Sequence, residues 1–383
     1  MPRGCDDFGL RHVAFGADVL PYLGMSAAEH ARVERGISLN LLGGLSGSVR
    51  GFALAGLFND SVLASCGFQL SGAANIVDGP SQGVLMSSVN VTHGRVDGAQ
   101  LGLVDIATHE VHGAQLGLVN LAAGTLNGPQ LGLVNLTVGS LDGAQLGLVN
   151  LAGDSVHGAQ LGLVNYGGVP NAAQLGLVNV ANQRVDGAQL GLVNITTGVV
   201  DGLQLGLVNV AEDADAAIGL VSVLSRGRTH LDVFGTDAEL MMLGLNHGSK
   251  RVYNIYAVGM RPATHPTYAA ALGLGAHLWR SPDTSAGHLA IDLDGIGYAP
   301  FAHNRERSRI ETGSIVQLRL PIAWQFTSWF GIVASPALNL SLIDANNELL
   351  VDPLQLGSER LTARTSPVSA RLGPGFTLGV RLF

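Results

Sequence analysis

The chain has 383 residues, of which 47% are apolar, 13% are charged and 53 are glycine. Ordinary soluble domains carry roughly 25% charged residues, and such low charge with high hydrophobicity excludes an intrinsically disordered chain. Fourteen prolines, and the lack of a glycine at every third position, exclude collagen. A formal net charge of −8, with Lys250 as the single lysine, argues against nucleic-acid binding. No apolar stretch is long enough to predict a transmembrane helix.

Residues 1–50 are predicted to form an N-terminal strand and cap region. The opening Met-Pro-Arg-Gly-Cys contains no hydrophobic signal segment, which by itself predicts a cytoplasmic protein. The pair Gly4 and Cys5 would fit the end of a lipoprotein signal if the true start lay upstream. Cys5 and Cys66 are the only cysteines, too few for a disulfide scaffold or a cysteine zinc site.

Residues 51–222 carry an internal repeat. The string Gln-Leu-Gly-Leu-Val-Asn/Asp recurs at a spacing of 15 residues, with one step of 14. Its copies begin at Gln100, Gln115, Gln130, Gln145, Gln160, Gln174, Gln189 and Gln204. Weaker copies lie upstream, and Ile218 begins a decayed last copy. Because a fifteen-residue unit cannot form a core alone, each copy must be covered by its neighbours.

Each repeat is interpreted as a strand followed by a turn. Alternation places Leu116, Leu118 and Asn120 on one face of a strand, and we expect the leucines to point into the core. Turn dipeptides such as Asp-Gly and His-Gly follow. The repeats could form a β-solenoid or an antiparallel meander. The solenoid is favoured, because stacking in register explains identical residues at each position and lets the Asn and Gln columns form amide ladders.

Residues 223–383 are predicted to form an antiparallel barrel or sandwich of longer strands. The candidate strands are His230–Gly235, Ala238–Leu245, Arg251–Met260, Tyr268–Trp279, His288–Tyr298, Ser314–Phe326, Phe330–Ile343 and Gly375–Phe383. Several alternate between polar and apolar residues: His288, Asp292 and Asp294 share one face, and Gln317 and Arg319 oppose apolar neighbours. Pro321 indicates that its strand ends there or lies at an edge.

The terminal Phe383 is typical of outer-membrane barrels, but the alternation fits only in part. Counting back in steps of two gives Arg381, Gly379 and Thr377, while the apolar set has the other parity. Trp279, Trp324 and Trp329, near predicted strand ends, could be interfacial anchors or core residues.

The order of these blocks resembles a family of bacterial surface-repeat proteins that are mostly uncharacterised. The matching stretches are the segment beginning at Ile37 (Ile-Ser-Leu-Asn-Leu-Leu-Gly-Gly), the repeats, His230–Glu239 and Arg251–Ile255. The match covers nearly the whole chain. The resemblance implies export and association with the cell surface or outer membrane, and it implies no known activity. The missing signal segment departs from the family pattern.

Motifs that would indicate chemistry are absent or weak. No phosphate loop, nucleophile elbow or calcium-binding nonapeptide occurs, so no nucleotide or cofactor is predicted. The best metal-ligand cluster is His288 with Asp292 and Asp294, and a second strand would have to complete it. Asp105 and Glu110 are the nearest carboxylate pair in the repeats, too isolated for a carbohydrate-active enzyme.

The sequence therefore predicts an all-β protein, a repeat β-solenoid followed by an antiparallel β-barrel or sandwich. No catalytic, cofactor or metal residue is assigned. The favoured function is a non-enzymatic surface or outer-membrane repeat protein that acts as a spacer or binding face for components of the cell surface or outer membrane. The alternative is an outer-membrane pore, and a solenoid carbohydrate-active enzyme is the third reading.

Overall fold

The computed structural model describes residues 8–25, 29–171, 173–263, 266–282, 284, 287–304, 309–344, 359–361 and 368–382. The chain is all-β and divides into two compact units, Met1–Asp201 and Gly202–Phe383. Within the described ranges the helical structure is one 3-10 turn, His30–Arg32. None of the helices in those ranges is long and apolar enough to cross a membrane.

The repeats fold as a β-solenoid of about 13 turns, with successive turns about 15 residues apart. Its strands are β1 (Arg11–Leu20), β2 (Leu23–Gly24), β3 (Val33–Asn40), β4 (Gly43–Ala55), β5 (Phe58–Ser71), β6 (Ala74–Val77), β7 (Ser81–Met86), β8 (Val89–Thr92), β9 (Val96–Leu101), β10 (Val104–Ala107), β11 (Val111–Leu116), β12 (Val119–Ala122), β13 (Leu126–Asn127), β14 (Gln130–Leu131), β15 (Val134–Thr137), β16 (Leu141–Leu146), β17 (Val149–Leu161), β18 (Val164–Pro170), β19 (Ala173–Leu175), β20 (Val178–Ala181), β21 (Val185–Leu190), β22 (Val193–Thr196), β23 (Val199–Leu205), β24 (Val208–Ala211), β25 (Asp213–Ile218) and β26 (Val221–Leu224).

Each coil contributes two short strands that pair in parallel with the equivalent strands of its neighbours. β11 pairs with β9 so that Gln115 lies opposite Gln100, and β12 pairs with β10 so that Asn120 lies opposite Asp105. The register is one full repeat throughout these pairs. The predicted solenoid is therefore confirmed, and the antiparallel meander is wrong.

The predicted direction of the repeat leucines is wrong. Gln115 and Asn120 are fully buried, whereas Leu116 and Leu118 are exposed. The strand ends at Leu116, and a bend at Gly117 and Leu118 breaks the alternation before the next strand begins. Because of that bend, both amide side chains point inward and both leucines point outward. The apolar part of the core comes from a Val/Leu column and an Ala/Thr column, represented by Val96, Val111, Leu126, Leu141 and Val156, and by Ala107, Ala122, Thr137 and Ala152.

The glycine between the two leucines is required by close stacking of the coils. A Cβ atom at Gly147 would lie 2.4 Å from the carbonyl oxygen of Gly132 and 2.7 Å from the Asn135 amide nitrogen. No larger residue fits at that distance without displacing the backbone of the preceding coil. This contact explains why glycine recurs at the centre of every strong repeat.

The second unit begins with further repeats and ends in an antiparallel barrel. The barrel strands are β27 (Arg228–Thr236), β28 (Met241–Gly248), β29 (Val252–Arg261), β30 (Thr267–Arg280), β31 (His288–Asn304), β32 (Arg309–Arg319), β33 (Ile322–Gln325), β34 (Phe330–Asp344), β35 (Glu359–Arg360) and β36 (Val368–Leu382). Neighbouring strands pair in chain order, and β36 pairs with both β34 and β27, which closes the ring. β32 and β33 occupy one position, separated near Pro321 as predicted, so the ring has eight positions.

Candidate functional site

The outer wall of the barrel is apolar. Along β28, the exposed Met241, Leu243 and Leu245 alternate with buried residues, and β32 repeats this with exposed Val316 and Leu318. The outward side chains of the other strands include Val258, Leu272, Leu274, Leu293, Ile332, Leu338, Phe376 and Leu378. A soluble barrel would place such residues inside. This wall has the apolar exterior that is typical of a barrel in lipid.

Exposed aromatic side chains lie at both ends of this wall. Trp279, Trp324 and Trp329 are exposed at one end, so the core alternative for these residues is wrong. Tyr268 stacks on Phe301 at the other end, with their ring centroids 5.8 Å apart. Tyr268 and Trp279 are eleven residues apart on β30, which corresponds to roughly 28 Å along the axis of a barrel with tilted strands. That height matches the apolar thickness of a membrane.

The barrel interior is charged and tightly paired. Arg381 on β36 donates from Nε to Asp232 Oδ1 at 3.0 Å and from Nη1 to Asp292 Oδ2 at 3.0 Å. Asn246 also donates to Asp232, at 2.8 Å, and His277 Nδ1 lies 2.8 Å from Asp292 Oδ1. All three charged groups are buried. Their mutual pairing offsets the cost of removing them from water.

A second cluster occupies the next layer of the interior. Arg319 Nε donates to Asp294 Oδ2 at 2.9 Å, and the Tyr253 hydroxyl donates to the other oxygen of Asp294. The Arg319 guanidinium also lies over the Phe234 ring, 4.8 Å from its centroid. Gln317 is buried beside this cluster. The predicted alternation that placed Gln317 and Arg319 on one polar face is confirmed, and that face lines the lumen.

Two of the three residues predicted as the best metal site, Asp292 and Asp294, form ion pairs instead. Asp292 and Asp294 do share an inward face, but Asp292 binds His277 and Arg381, while Asp294 binds Arg319. In the part of the chain that the structure describes, no group of three or more His, Cys, Asp or Glu side chains could hold a metal ion. The sequence could not show these partners, because they come from strands far apart in the chain.

A cavity of about 680 Å³ opens at the end of the barrel where β27 begins and β36 ends. His230, His277 and Asp292 line its inner part. The Nε2 atoms of both histidines are buried without a hydrogen-bond partner. The ion pairs around Arg381 close the inner side of the cavity.

Phe383, which entered the prediction of an outer-membrane barrel, lies outside the described residues. Phe376 and Leu378 of β36 face outward.

The glutamine column of the solenoid forms a continuous hydrogen-bonded ladder. Each side-chain amide donates to the Oε1 atom of the preceding coil: Gln115 to Gln100 at 2.8 Å, Gln130 to Gln115 at 2.7 Å and Gln145 to Gln130 at 2.8 Å. The ladder continues through Gln160, Gln174 and Gln189. These side chains are almost entirely buried. The predicted glutamine ladder is confirmed, and it lies inside the coil.

The asparagine column forms a second ladder with the opposite direction. Asn120 donates to Asn135 at 2.8 Å, and Asn135 donates to Asn150 at 2.9 Å, each toward the following coil. Each Nδ2 atom also donates to a backbone carbonyl, as Asn120 does to Leu131 at 3.0 Å. Because the two amide columns point in opposite directions along the rod, their dipoles oppose each other.

One carboxylate interrupts the asparagine ladder. Asn90 donates to Asp105 Oδ1 at 2.7 Å, but Asp105 Oδ2 and Asn120 Oδ1 are buried and accept no hydrogen bond. Burial raises the pKa of the Asp105 carboxyl to about 6, against the lowering effect of hydrogen bonds from Asn90 and from the Gly102 and Leu116 amides. A protonated Asp105 would supply the donor that the ladder lacks at this point.

The outward leucines form a charge-free strip on the first unit, which we call the leucine face. Its central column is Leu103, Leu118, Leu133, Leu148, Leu163, Leu177 and Leu192, all about half exposed. A second outward column includes Leu116, Leu131, Leu146 and Leu161, which end β11, β14, β16 and β17. Val119, Val134 and Val164 flank the central column. A contiguous apolar surface of this kind is unusual on a soluble protein.

Within the second unit, the last repeats pack on the barrel. Asn254 Nδ2 donates to the Gly219 carbonyl at 2.7 Å, and the Tyr256 hydroxyl donates to the Leu220 carbonyl at 2.8 Å. Lys250, at the turn between β28 and β29, donates its backbone amide to Ala214 at 3.0 Å. These contacts fix the repeats to the barrel end at which β27 begins.

No known protein family matches the chain, and no curated protein is significantly similar to it in sequence. Among solved structures, the chain is similar to the crystal structure of the N-terminal β-barrel domain of Pseudomonas aeruginosa OprF, with 11% sequence identity and a TM-score of 0.27. The alignment covers 41% of this chain and 98% of the OprF domain. The pairing of β36 with both β34 and β27 defines the barrel.

Proposed function

We propose that residues 228–382 form an outer-membrane β-barrel that anchors a non-enzymatic β-solenoid. The observation that carries this proposal is the inverted distribution of side chains, with leucines such as Leu272 on the exposed wall and Asp232, Asp292 and Arg381 inside. In water, both the exposed apolar wall and the buried charged side chains would cost free energy. A bilayer favours the wall and leaves the charges in the interior.

The lengths of the connections support one orientation. At the end where β27 begins, the connections are 249–251, 281–287 and 326–329, none longer than seven residues. At the other end, the connection between β34 and β36 spans residues 345–367. Outer-membrane barrels have short periplasmic turns and longer extracellular loops. The solenoid precedes β27 in the chain, so this orientation assigns it to the periplasm.

A disulfide supports export. Cys66 is disulfide-bonded, and Cys5, the only other cysteine of the chain, lies outside the described residues. Disulfides form and persist in oxidising compartments such as the periplasm, and they are rare in the cytosol. The family resemblance in the sequence implies the same destination.

The lumen favours an anchor over a pore. Eight strands leave an interior that side chains can fill, and the pairs of Arg381 with Asp232 and Arg319 with Asp294 cross it in two layers. We expect purified protein in planar bilayers to give no stable conductance. Ordered ion channels from well-folded protein would favour the pore instead.

The anchoring proposal is tested by changing the wall and the lumen separately. Leu272→Arg places a charge on the wall and should cost about 2–4 kcal/mol of stability in a bilayer, so it should prevent insertion into phosphatidylcholine vesicles. Leu272→Ala is the matched control and should still insert. Flotation with the vesicles and resistance to protease are the measurements. Equal insertion of both variants, or failure of the unaltered chain to insert, would contradict the proposal.

A further inference from the structure

The leucine face has no covering partner within the described residues of the first unit. Leu133, Leu148 and Leu163 are about half exposed in three successive coils that stack in register. The two columns beside them are also apolar, and no charged side chain interrupts the three columns in the strong repeats. An exposed apolar surface of this kind marks a site of contact with another apolar surface.

We propose that the leucine face lies on the phospholipid surface of the membrane that holds the barrel. This inference rests on the proposed function. Within the second unit, the equivalent positions Leu220 and Val221 are exposed, and the Leu220 carbonyl accepts the hydrogen bond of Tyr256 from the barrel wall. Leu207 is exposed in the same way. The apolar columns of these repeats therefore adjoin the wall that the bilayer covers.

A second copy of the chain fits this face less well. Seven strong coils at the spacing of neighbouring strands give a strip roughly 34 Å long and three residues wide, or roughly 400 Å² per molecule. Two such strips would bury about 800 Å², less than the roughly 1,200 Å² of a stable interface. Binding to lipid needs no minimum interface area, because each leucine that enters the acyl region adds to the buried apolar area.

The orientation proposed for the barrel identifies the membrane surface. The repeats that contact the barrel do so through the hairpin at Lys250, at the end opposite the long connection 345–367. That end faces the periplasm, where the outer membrane presents its phospholipid leaflet. The leucine face would thus contact that leaflet.

Depth-dependent quenching tests this proposal on the full-length chain. Leu148→Cys carries a bimane label on the leucine face, and Asp142→Cys carries it at the exposed second residue of β16, where Asp142 pairs with His157. No free cysteine is present among the described residues to compete for the label. In vesicles of phosphatidylcholine with brominated acyl chains, we expect about a twofold loss of emission for the leucine-face label. The label at position 142 should keep its emission.

Two further labels separate the possible failures. Leu163→Cys repeats the measurement should the first variant fold poorly, and Leu272→Cys reports the barrel wall. Quenching at position 272 without quenching at 148 and 163 would overturn the lipid contact and leave the anchor intact. No quenching at position 272 would refute the anchor itself. Cross-linking between copies at position 148, with unquenched emission, would assign the face to a second copy.

Discussion

Asp105 and Asn120 face each other in adjacent coils with two acceptor oxygens and no donor between them. Both Asp105 Oδ2 and Asn120 Oδ1 lie 3.0 Å from the position that a Cβ of Gly117 would take, so they occupy one small buried space. Every other step of the ladder between Asn90 and Asn194 has an amide donor. The interruption is therefore chemical and local, because the backbone register continues unchanged through it.

We expect Asp105→Asn to stabilise the solenoid in a pH-dependent way. The folded carboxyl has a pKa of about 6 and the ordinary value is 3.8, so between those values the folded chain keeps a proton that the unfolded chain loses. Stability is then full below about pH 4 and falls as pH rises toward 6, by about 1–3 kcal/mol. Asparagine removes this loss and supplies the missing donor.

Thermal unfolding at two pH values measures this effect. At pH 8 the Asp105→Asn variant should melt several degrees above the unaltered chain, and at pH 4 the two should agree. Asp142→Asn is the control, since Asp142 makes an exposed pair with His157 at 2.9 Å, which contributes little. A pH-independent gain for Asp105→Asn would show that the carboxyl is ionised in the folded state.

The inward glutamines, not the leucines, should determine the stability of each coil. Gln145→Ala removes a donor to Gln130 and an acceptor for Gln160, both at 2.8 Å, and should cost about 2–3 kcal/mol. Leu146→Asp, on the exposed side of the same strand, should cost less than about 1 kcal/mol. Urea unfolding followed by circular dichroism gives both values. A larger cost for the leucine change would restore the inward-leucine interpretation.

The sequence predicted the repeats and strands well, and the side-chain directions less well. The stacked coils follow from identity at every fifteenth position, and each predicted strand of the second domain corresponds to a barrel strand. The predicted direction of the leucines was wrong because the alternation of a straight strand was assumed to continue through Gly117, where the chain bends. Gln115 and Asn120 are five residues apart and would lie on opposite faces of a straight strand. An amide that recurs in every coil at both positions was the signal that both side chains point inward and that the chain bends between them.

The charged interior could not be predicted to the same degree. Arg381 meets Asp232 across a sequence separation of 149 residues, and only closure of the ring brings β36 beside β27. Strand alternation showed that Asp292 and Asp294 share a face. It did not show whether that face was a lumen, a solvent surface or a metal site. Register between distant strands decided this, and no local pattern encodes that register.

The Arg381 cluster should be essential for folding of the barrel. Arg381→Met leaves Asp232 and Asp292 buried with less compensation, which should cost about 3–5 kcal/mol and reduce the folded fraction in vesicles. Adding Asp232→Asn to this variant should recover part of the loss, because the uncompensated charge falls. Arg228→Met, at the exposed end of β27, is the control. Mobility on gels of unheated samples reports folding, and a normal folded fraction for Arg381→Met would contradict the structural role.

Deletion of one whole coil should shorten the solenoid and leave it folded. Removing residues 128–142 joins Asn127 to Gly143 and places Gln145 in the register of Gln130, beside Gln115. The ladders and the parallel strands are then restored. Removing seven residues, 128–134, is the matched control and should disrupt both ladders. A cooperative melt for the first deletion and none for the second is the expected result, and loss of folding in both would contradict independent coils.

The orientation of the barrel can be tested in intact cells. A membrane-impermeant maleimide should label Glu359→Cys, an exposed position in the connection between β34 and β36, without treatment of the cells. It should label Asp142→Cys, on the solenoid, only after the outer membrane is permeabilised. Both variants should react equally in lysed cells, which controls for thiol exposure. Labelling of position 142 in intact cells would place the solenoid on the cell surface and contradict the proposed orientation of the barrel.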